Sequence, residues 1–269
     1  MIDYCEILIS VNPDLSDVLV AELADIGYDG FEQTDNTLKA YIPEGDFLEN
    51  ELNILLNKYQ LKYLKSIIKK QNWNELWESN FEPVQVEDFV GIRADFHPPF
   101  NGIKHEIVIT PKMSFGTGHH ATTWMVMKLM EEIDFSGKTV FDFGTGTGIL
   151  AILAEKLGAA AVLAVDNDDW CIENASENAL INSCKYIDIH KNDVVSSNRQ
   201  FNIILANINR NIILDNIDEL RKSLAYHGQL ILSGLLVSDE ADIKDACNAL
   251  GLQHKKTLER NGWVALWFF

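Results

Sequence analysis

Val140-Phe141-Asp142-Phe143-Gly144-Thr145-Gly146-Thr147-Gly148 reads as a strand that breaks into a glycine-rich turn. Apolar residues feed the turn, and glycines at alternate positions strip it of side chains. A helix pattern follows at once, with Ile149, Leu150, Ile152, Leu153 and Leu157 on one stripe. Backbone amides at the start of such a helix approach a ligand closely. A second strand, 161–165, ends on Asp166, where a carboxylate can accept hydrogen bonds from a ribose diol. The pattern points to a nucleoside-containing cofactor.

A chain of 269 residues has room for one large or two modest domains with an ample core. Its apolar content of 47% excludes a disordered chain. No apolar run reaches the ~18 residues that would span a bilayer. The stretch Met1-Ile2-Asp3-Tyr4-Cys5-Glu6 lacks the basic region and apolar run of a secretory signal. Cys5, Cys171, Cys184 and Cys247 are scattered, without metal-type pairs, so reduced thiols and a cytoplasmic location are expected. With 40 acidic and 22 basic residues the formal net charge is -18, which argues against naked nucleic acid as the main partner. The same charge suits either solubility alone or attraction of a strongly basic partner.

The pattern along the chain separates a small α+β domain over 1–70, a linker helix over 71–83 and a larger α/β domain over 84–269. In the first, the order β-α-β-β-α-β matches a ferredoxin-like sandwich and carries no evident catalytic residues. In the linker, Trp73, Trp77 and Phe81 lie four apart on one helical face. In the third, strands at 138–143, 161–166, 186–190, 201–206 and 228–233 alternate with helix patterns, which predicts a doubly wound, Rossmann-like, mostly parallel sheet. The end differs: two apolar runs flank Asn261-Gly262, a hairpin signal, so the sheet should close with an antiparallel C-terminal hairpin.

The glycines admit two cofactors. Gly146 to Ala151 formally fits the dinucleotide fingerprint G-x-G-x-x-A. Asp142 before Gly144, Gly146 and Gly148 fits the D-x-G-x-G-x-G loop of S-adenosylmethionine (AdoMet) methyltransferases. Asp142 tilts the balance, because an acid beside the turn would repel a pyrophosphate and favour a cationic ligand. The expected hairpin points the same way, as does Asn192-Asp193, placed where a polar pair could meet an adenine edge. A plain turn is the other reading of Asp193.

Here the chain resembles the ribosomal protein methyltransferase PrmA family, which modifies the eleventh protein of the large ribosomal subunit. The resemblance covers nearly the whole chain and is carried by Ser114-Phe115-Gly116-Thr117-Gly118-His119-His120-Ala121-Thr122-Thr123, Asp142–Gly148, Asp166 and Ala206-Asn207-Ile208. It implies an AdoMet-dependent enzyme that methylates lysine side-chain and N-terminal amines of a basic ribosomal protein. It also implies that the N-terminal domain recognises that substrate. By the same resemblance Gly144 lies against the methionine portion of the cofactor and Thr123 binds it. Phe115 could cover it as a lid.

The residues themselves support further roles. Asp166 suits the ribose diol, with helix capping near Asp169 as its other reading. Thr123 could instead cap the helix that follows. Asn207 ends a central strand, where an amide can orient an incoming amine with its side-chain carbonyl; it too could be a cap. Asn207-Ile208-Asn209-Arg210 lacks the aromatic that would stack on a nucleobase, which favours an aliphatic amine. His119-His120, without acidic or cysteine partners, is not read as a metal site. A monomer acting on free rather than assembled substrate is expected. A nicotinamide-dependent (NAD(P)) oxidoreductase and a non-catalytic nucleoside-binding docking factor are the competing readings.

Overall fold

A computed structural model of the chain describes residues 3–34, 36–68, 81–112, 116–193, 195 and 199–269. The expected linker helix with Trp73 and Trp77, and the Phe115 lid, lie outside the described residues, whereas Phe81 is described. Two compact units emerge, Met1–Leu76 and Trp77–Phe269.

The first unit runs β1 (Tyr4–Ser10), α1 (Pro13–Asp25), β2 (Gly30–Gln33), β3 (Thr37–Pro43), α2 (Glu49–Asn57) and β4 (Tyr63–Ile68). Its antiparallel sheet has the order β2-β3-β1-β4. Alternation in β1 sends Cys5, Ile7 and Ile9 inward, where they pack with Leu19, Leu23, Leu52 and Leu56 of the two helices. Asn12 caps α1, its Oδ1 accepting from the Leu15 amide at 3.0 Å.

The second unit opens with a small sheet of β5 (Val84–Val86), β6 (Val90–Ala94) and β7 (His105–Ile109). It continues with α3 (Ala121–Met130), β8 (Thr139–Phe143), α4 (Ile149–Lys156), β9 (Ala161–Asp166) and α5 (Asp169–Ile181). Then come β10 (Ile187–Lys191), β11 (Phe201–Asn207), α6 (Arg210–Ser223), β12 (Leu224–Leu236), α7 (Glu240–Ala249), β13 (His254–Arg260) and β14 (Trp263–Phe268). The large sheet has the order β10-β9-β8-β11-β12-β14-β13. It is parallel up to β12, and β14 runs antiparallel to both its neighbours. The hairpin turn places Asn261 at φ 53 and Gly262 at φ 79, the left-handed pair that a two-residue turn requires.

Strand alternation sorts the core into two faces. Val140, Ile203 and Leu205 pack on one side of the sheet, and Phe141, Ile204 and Ala206 on the other. The α4 helix departs from the expected single stripe: every residue from Ile149 to Ala154 is buried. A helix enclosed all round has no solvent face to pattern. Strand order reverses between β8 and β11, and ligands in such sheets bind at the carboxyl ends of the strands beside that reversal. Among the described residues no helix is long and apolar enough to cross a membrane.

Candidate functional site

The glycine turn begins where β8 stops. Gly144, Gly146 and Gly148 have φ of 79°, 54° and 80°, a conformation that L side chains rarely adopt. The amides of Gly144 and Thr145 both donate to the Val165 carbonyl at 2.9 Å, so the turn folds over the end of β9. There Asp166 organises the backbone. Its Oδ2 accepts from the Gly146 amide at 2.9 Å and its Oδ1 from the Asp168 amide at 3.1 Å. Capping of α5 falls to Asp168, which accepts from the Trp170 amide, so Asp166 is not a cap. Each carboxylate oxygen retains a lone pair, which is what two vicinal hydroxyls need. The Asn192 amide donates to the Asp166 carbonyl at 2.8 Å and brings the exposed Asp193 to the same edge.

Asp142 does not line the crevice as a free charge. It is fully buried, its Oδ2 accepts from the Thr145 hydroxyl at 2.6 Å, and its Oδ1 has no partner. Burial, with the Asp166 carboxylate adding to it, pushes its acid up to about 7 against the pull of the Thr145 hydroxyl. The expectation of an acid facing the ligand is corrected: the side chain turns into the protein beneath the turn. Gly144 is closed on one side. A Cβ there would lie 2.2 Å from Cγ2 of Ile208, so a protein side chain occupies the space beside the backbone.

The segment after residue 115 is tied to this turn. The Thr147 hydroxyl donates to the Gly116 carbonyl at 2.7 Å. Helix α3 is capped by His120, whose ring accepts from the Thr122 amide, so Thr123 is not the cap. Thr123 is buried, and its hydroxyl accepts from Nδ2 of Asn207 at 3.2 Å. Asn207, at the end of β11, is 7% exposed and leaves Oδ1 buried without a partner. Capping of α6 belongs to Asn209. The ring of His119 stands edge-on to Phe81 and that of His120 edge-on to Trp263, and among the described residues no His, Cys, Asp and Glu group could hold a metal.

Three asparagines that the sequence reading passed over hold the site together. Asn178 accepts from the Thr110 amide at 2.8 Å and donates to the Thr147 carbonyl at 2.9 Å. Asn174 donates to the Thr110 carbonyl, and Asn182 pairs with both backbone groups of Val108. Their spacing of four along α5 was the available signal, since it puts all three amides on one helical face. They complete the edge of β7 as another strand would and bind it to the glycine turn.

Together, the carboxylate at β9 and the orphaned acceptor at β11 suit a nucleoside ligand whose ribose diol meets Asp166, with an N–H donor brought beside Asn207. A model of the family described as Ribosomal protein L11 methyltransferase (PrmA) matches residues 10–268. The ribosomal protein L11 methyltransferase of Porphyromonas gingivalis is 44% identical over 260 residues, covering 94% of this chain and 90% of that relative. That of Chlorobaculum tepidum is 35% identical over 276 residues, covering 98% and 95%. The crystal structure of the ribosomal protein L11 methylase from Lactobacillus delbrueckii subsp. bulgaricus superposes with a TM-score of 0.66 at 31% identity, covering 70% of this chain and 98% of that one.

Proposed function

The chain belongs to the ribosomal protein L11 methyltransferase (PrmA) family, and on that footing we propose that it methylates lysine side-chain and N-terminal amines of ribosomal protein L11. The observation that carries the choice of amine is the buried, unpartnered Oδ1 of Asn207 at the carboxyl end of β11. A carbonyl oxygen there accepts one N–H of an incoming amine and leaves the nitrogen lone pair directed into the crevice. AdoMet, held by Asp166, Gly144, Asp193 and Thr123, supplies an electrophilic methyl carbon on a positively charged sulfur.

The chain's own residues orient the acceptor rather than deprotonate it. The polar group bonded to Asn207 is the Thr123 hydroxyl, which is no base at neutral pH. Lysine's reference pKa of ~10.4 leaves about one amine in 2,500 neutral at pH 7. Desolvation at the buried Asn207 favours the neutral form. Proximity and alignment then carry most of the rate.

In this reading the unit spanning 1–70 recognises the substrate, 71–83 links it, and 84–269 carries the chemistry. A net charge of -18 attracts a basic free protein more readily than one surrounded by RNA, so free L11 in the cytoplasm is the preferred substrate of a monomeric enzyme. The test is incubation with isotopically labelled AdoMet and either free L11 or assembled large subunits, followed by mapping of the methylated residues by mass spectrometry. Label on lysine and N-terminal nitrogens, faster with free protein, is the expected result. Label confined to other side chains, or equal rates on both substrates, would overturn the respective part.

A further inference from the structure

Ile208 is met from two sides by glycines, one in the turn after β8 and one within β12. Just past β8, a Cβ on Gly144 would lie 2.2 Å from Cγ2 of Ile208. Within β12, a Cβ on Gly234 would lie 2.2 Å from the Ile208 carbonyl oxygen and 2.9 Å from its nitrogen. Both glycines are left-handed, at φ 79° and 82°. The Ile208 amide donates to the Ser233 carbonyl at 3.1 Å, and the buried Ser233 hydroxyl donates to the Val264 carbonyl at 2.9 Å. Pairing of β12 with β14 slips between Leu232 and Leu235, so the irregularity that carries Gly234 is where the sheet makes room for the Ile208 backbone.

The strands joined in this way are the pair that defines the crevice. Ile208 follows Asn207 at the end of β11, and its side chain crosses to the turn at the end of β8. A β-branched side chain has few rotamers, so the crossing is stiff. Resting on the reading of Asn207 as the residue that orients the amine, we propose that Ile208 is a positioning residue that sets the distance between the Asn207 amide and the glycine turn. It thereby sets the room available to the acceptor nitrogen as methyl groups accumulate. Its Cγ2, the atom braced on Gly144, is the part that matters.

Two substitutions separate bracing from core filling. Ile208→Val keeps Cγ2 and loses only the terminal methyl; Ile208→Leu keeps the volume and loses the branch at Cβ. Bracing requires Val to behave as the wild type. Leu should lower kcat by about tenfold or more, because displacements near 1 Å at reacting groups cost about a hundredfold. AdoMet affinity by calorimetry should hold within about threefold, the lower end of context scatter for a single contact. Products from Leu should carry fewer methyls per amine by mass spectrometry. In the enzyme without cofactor, the Asn207 side-chain amide resonance should move in Leu and stay in place in Val. Val impaired more than Leu, or an unmoved resonance in Leu, would overturn the proposal. Absence of amine methylation by the wild type would instead defeat the functional reading, and the resonance would still report whether Ile208 holds Asn207.

Discussion

The Asn207 side-chain amide donates to the Thr123 hydroxyl across 3.2 Å, joining the end of β11 to the first turn of α3. Both residues are buried, and they stand 84 positions apart in the chain. The bond decides which end of the amide is spent on the protein. With Nδ2 engaged, Oδ1 is the end left over, and an acceptor rather than a donor is presented.

Removing that anchor should disturb the orientation of Asn207, and because Thr123 also belongs to the proposed AdoMet site, kcat at saturating AdoMet is the quantity that reports it. Thr123→Val preserves shape and deletes the acceptor, leaving Nδ2 of Asn207 buried and unpaired at a cost of about 1–3 kcal/mol. The amide can then turn, and kcat should fall by about tenfold or more through lost alignment. Thr123→Ser restores the oxygen and should recover most of the rate. Steady-state kinetics on the two variants decide the point, and equal kcat values would refute it.

Asp166 holds the backbone as well as the proposed ribose. Asp166→Ala takes the acceptor from the amides of Gly146 and Asp168, so a loss of stability of about 1–3 kcal/mol should accompany the loss of AdoMet affinity. Asp166→Asn keeps one acceptor oxygen for the backbone and offers the diol an incomplete partner. It should therefore be the more stable variant and still bind AdoMet about tenfold more weakly, a charged hydrogen bond being worth about 1.5–3 kcal/mol. Calorimetric titration alongside thermal unfolding separates the two effects, and wild-type AdoMet affinity in both variants would remove Asp166 from the site.

Asn178 bridges β7 and the glycine turn with one amide and is fully buried. Asn178→Ala orphans the Thr110 amide and the Thr147 carbonyl together, and should destabilise the second unit by about 2–4 kcal/mol. Amide exchange of Thr110 should quicken by more than that of the β11 backbone, since its acceptor is lost outright. Uniform acceleration across the sheet would mean that Asn178 merely fills space.

What the residues announced in advance was what local chemistry dictates. The alternating glycines and the Asn261-Gly262 turn impose a backbone geometry that few other residues tolerate, the acid closing β9 is a side-chain acceptor at a strand end, and each sits where its pattern implied. Membership in a methyltransferase family sets aside the nicotinamide reading that the same glycines allowed. The caps were harder. Thr123, Asp166 and Asn207 are all good capping types, and the actual caps are neighbours two or three positions away, His120, Asp168 and Asn209. Least legible were long-range fits. Nothing local ties Ile208 to Gly234, and nothing in the run from 140 to 148 says that Asp142 turns inward while Gly144 meets another strand's side chain.

That inward acid gives stability a pH dependence of defined sign. In an unfolded chain an aspartic acid titrates near 3.9, whereas Asp142 in the fold is pushed up to about 7. Between these values the folded protein holds a proton that the unfolded chain has released, so the contribution of Asp142 to stability falls as pH rises from about 4 to about 7 and is flat above. Asp142→Asn mimics the protonated acid, keeps an oxygen for the Thr145 hydroxyl and cannot ionise. Relative to wild type it should therefore gain stability between pH 5 and pH 8, on the order of 2 kcal/mol. Groups remote from Asp142 cancel in the comparison. Urea denaturation of the pair at several pH values measures the difference directly. Parallel stability curves across that interval would show that Asp142 ionises in the fold as freely as in water.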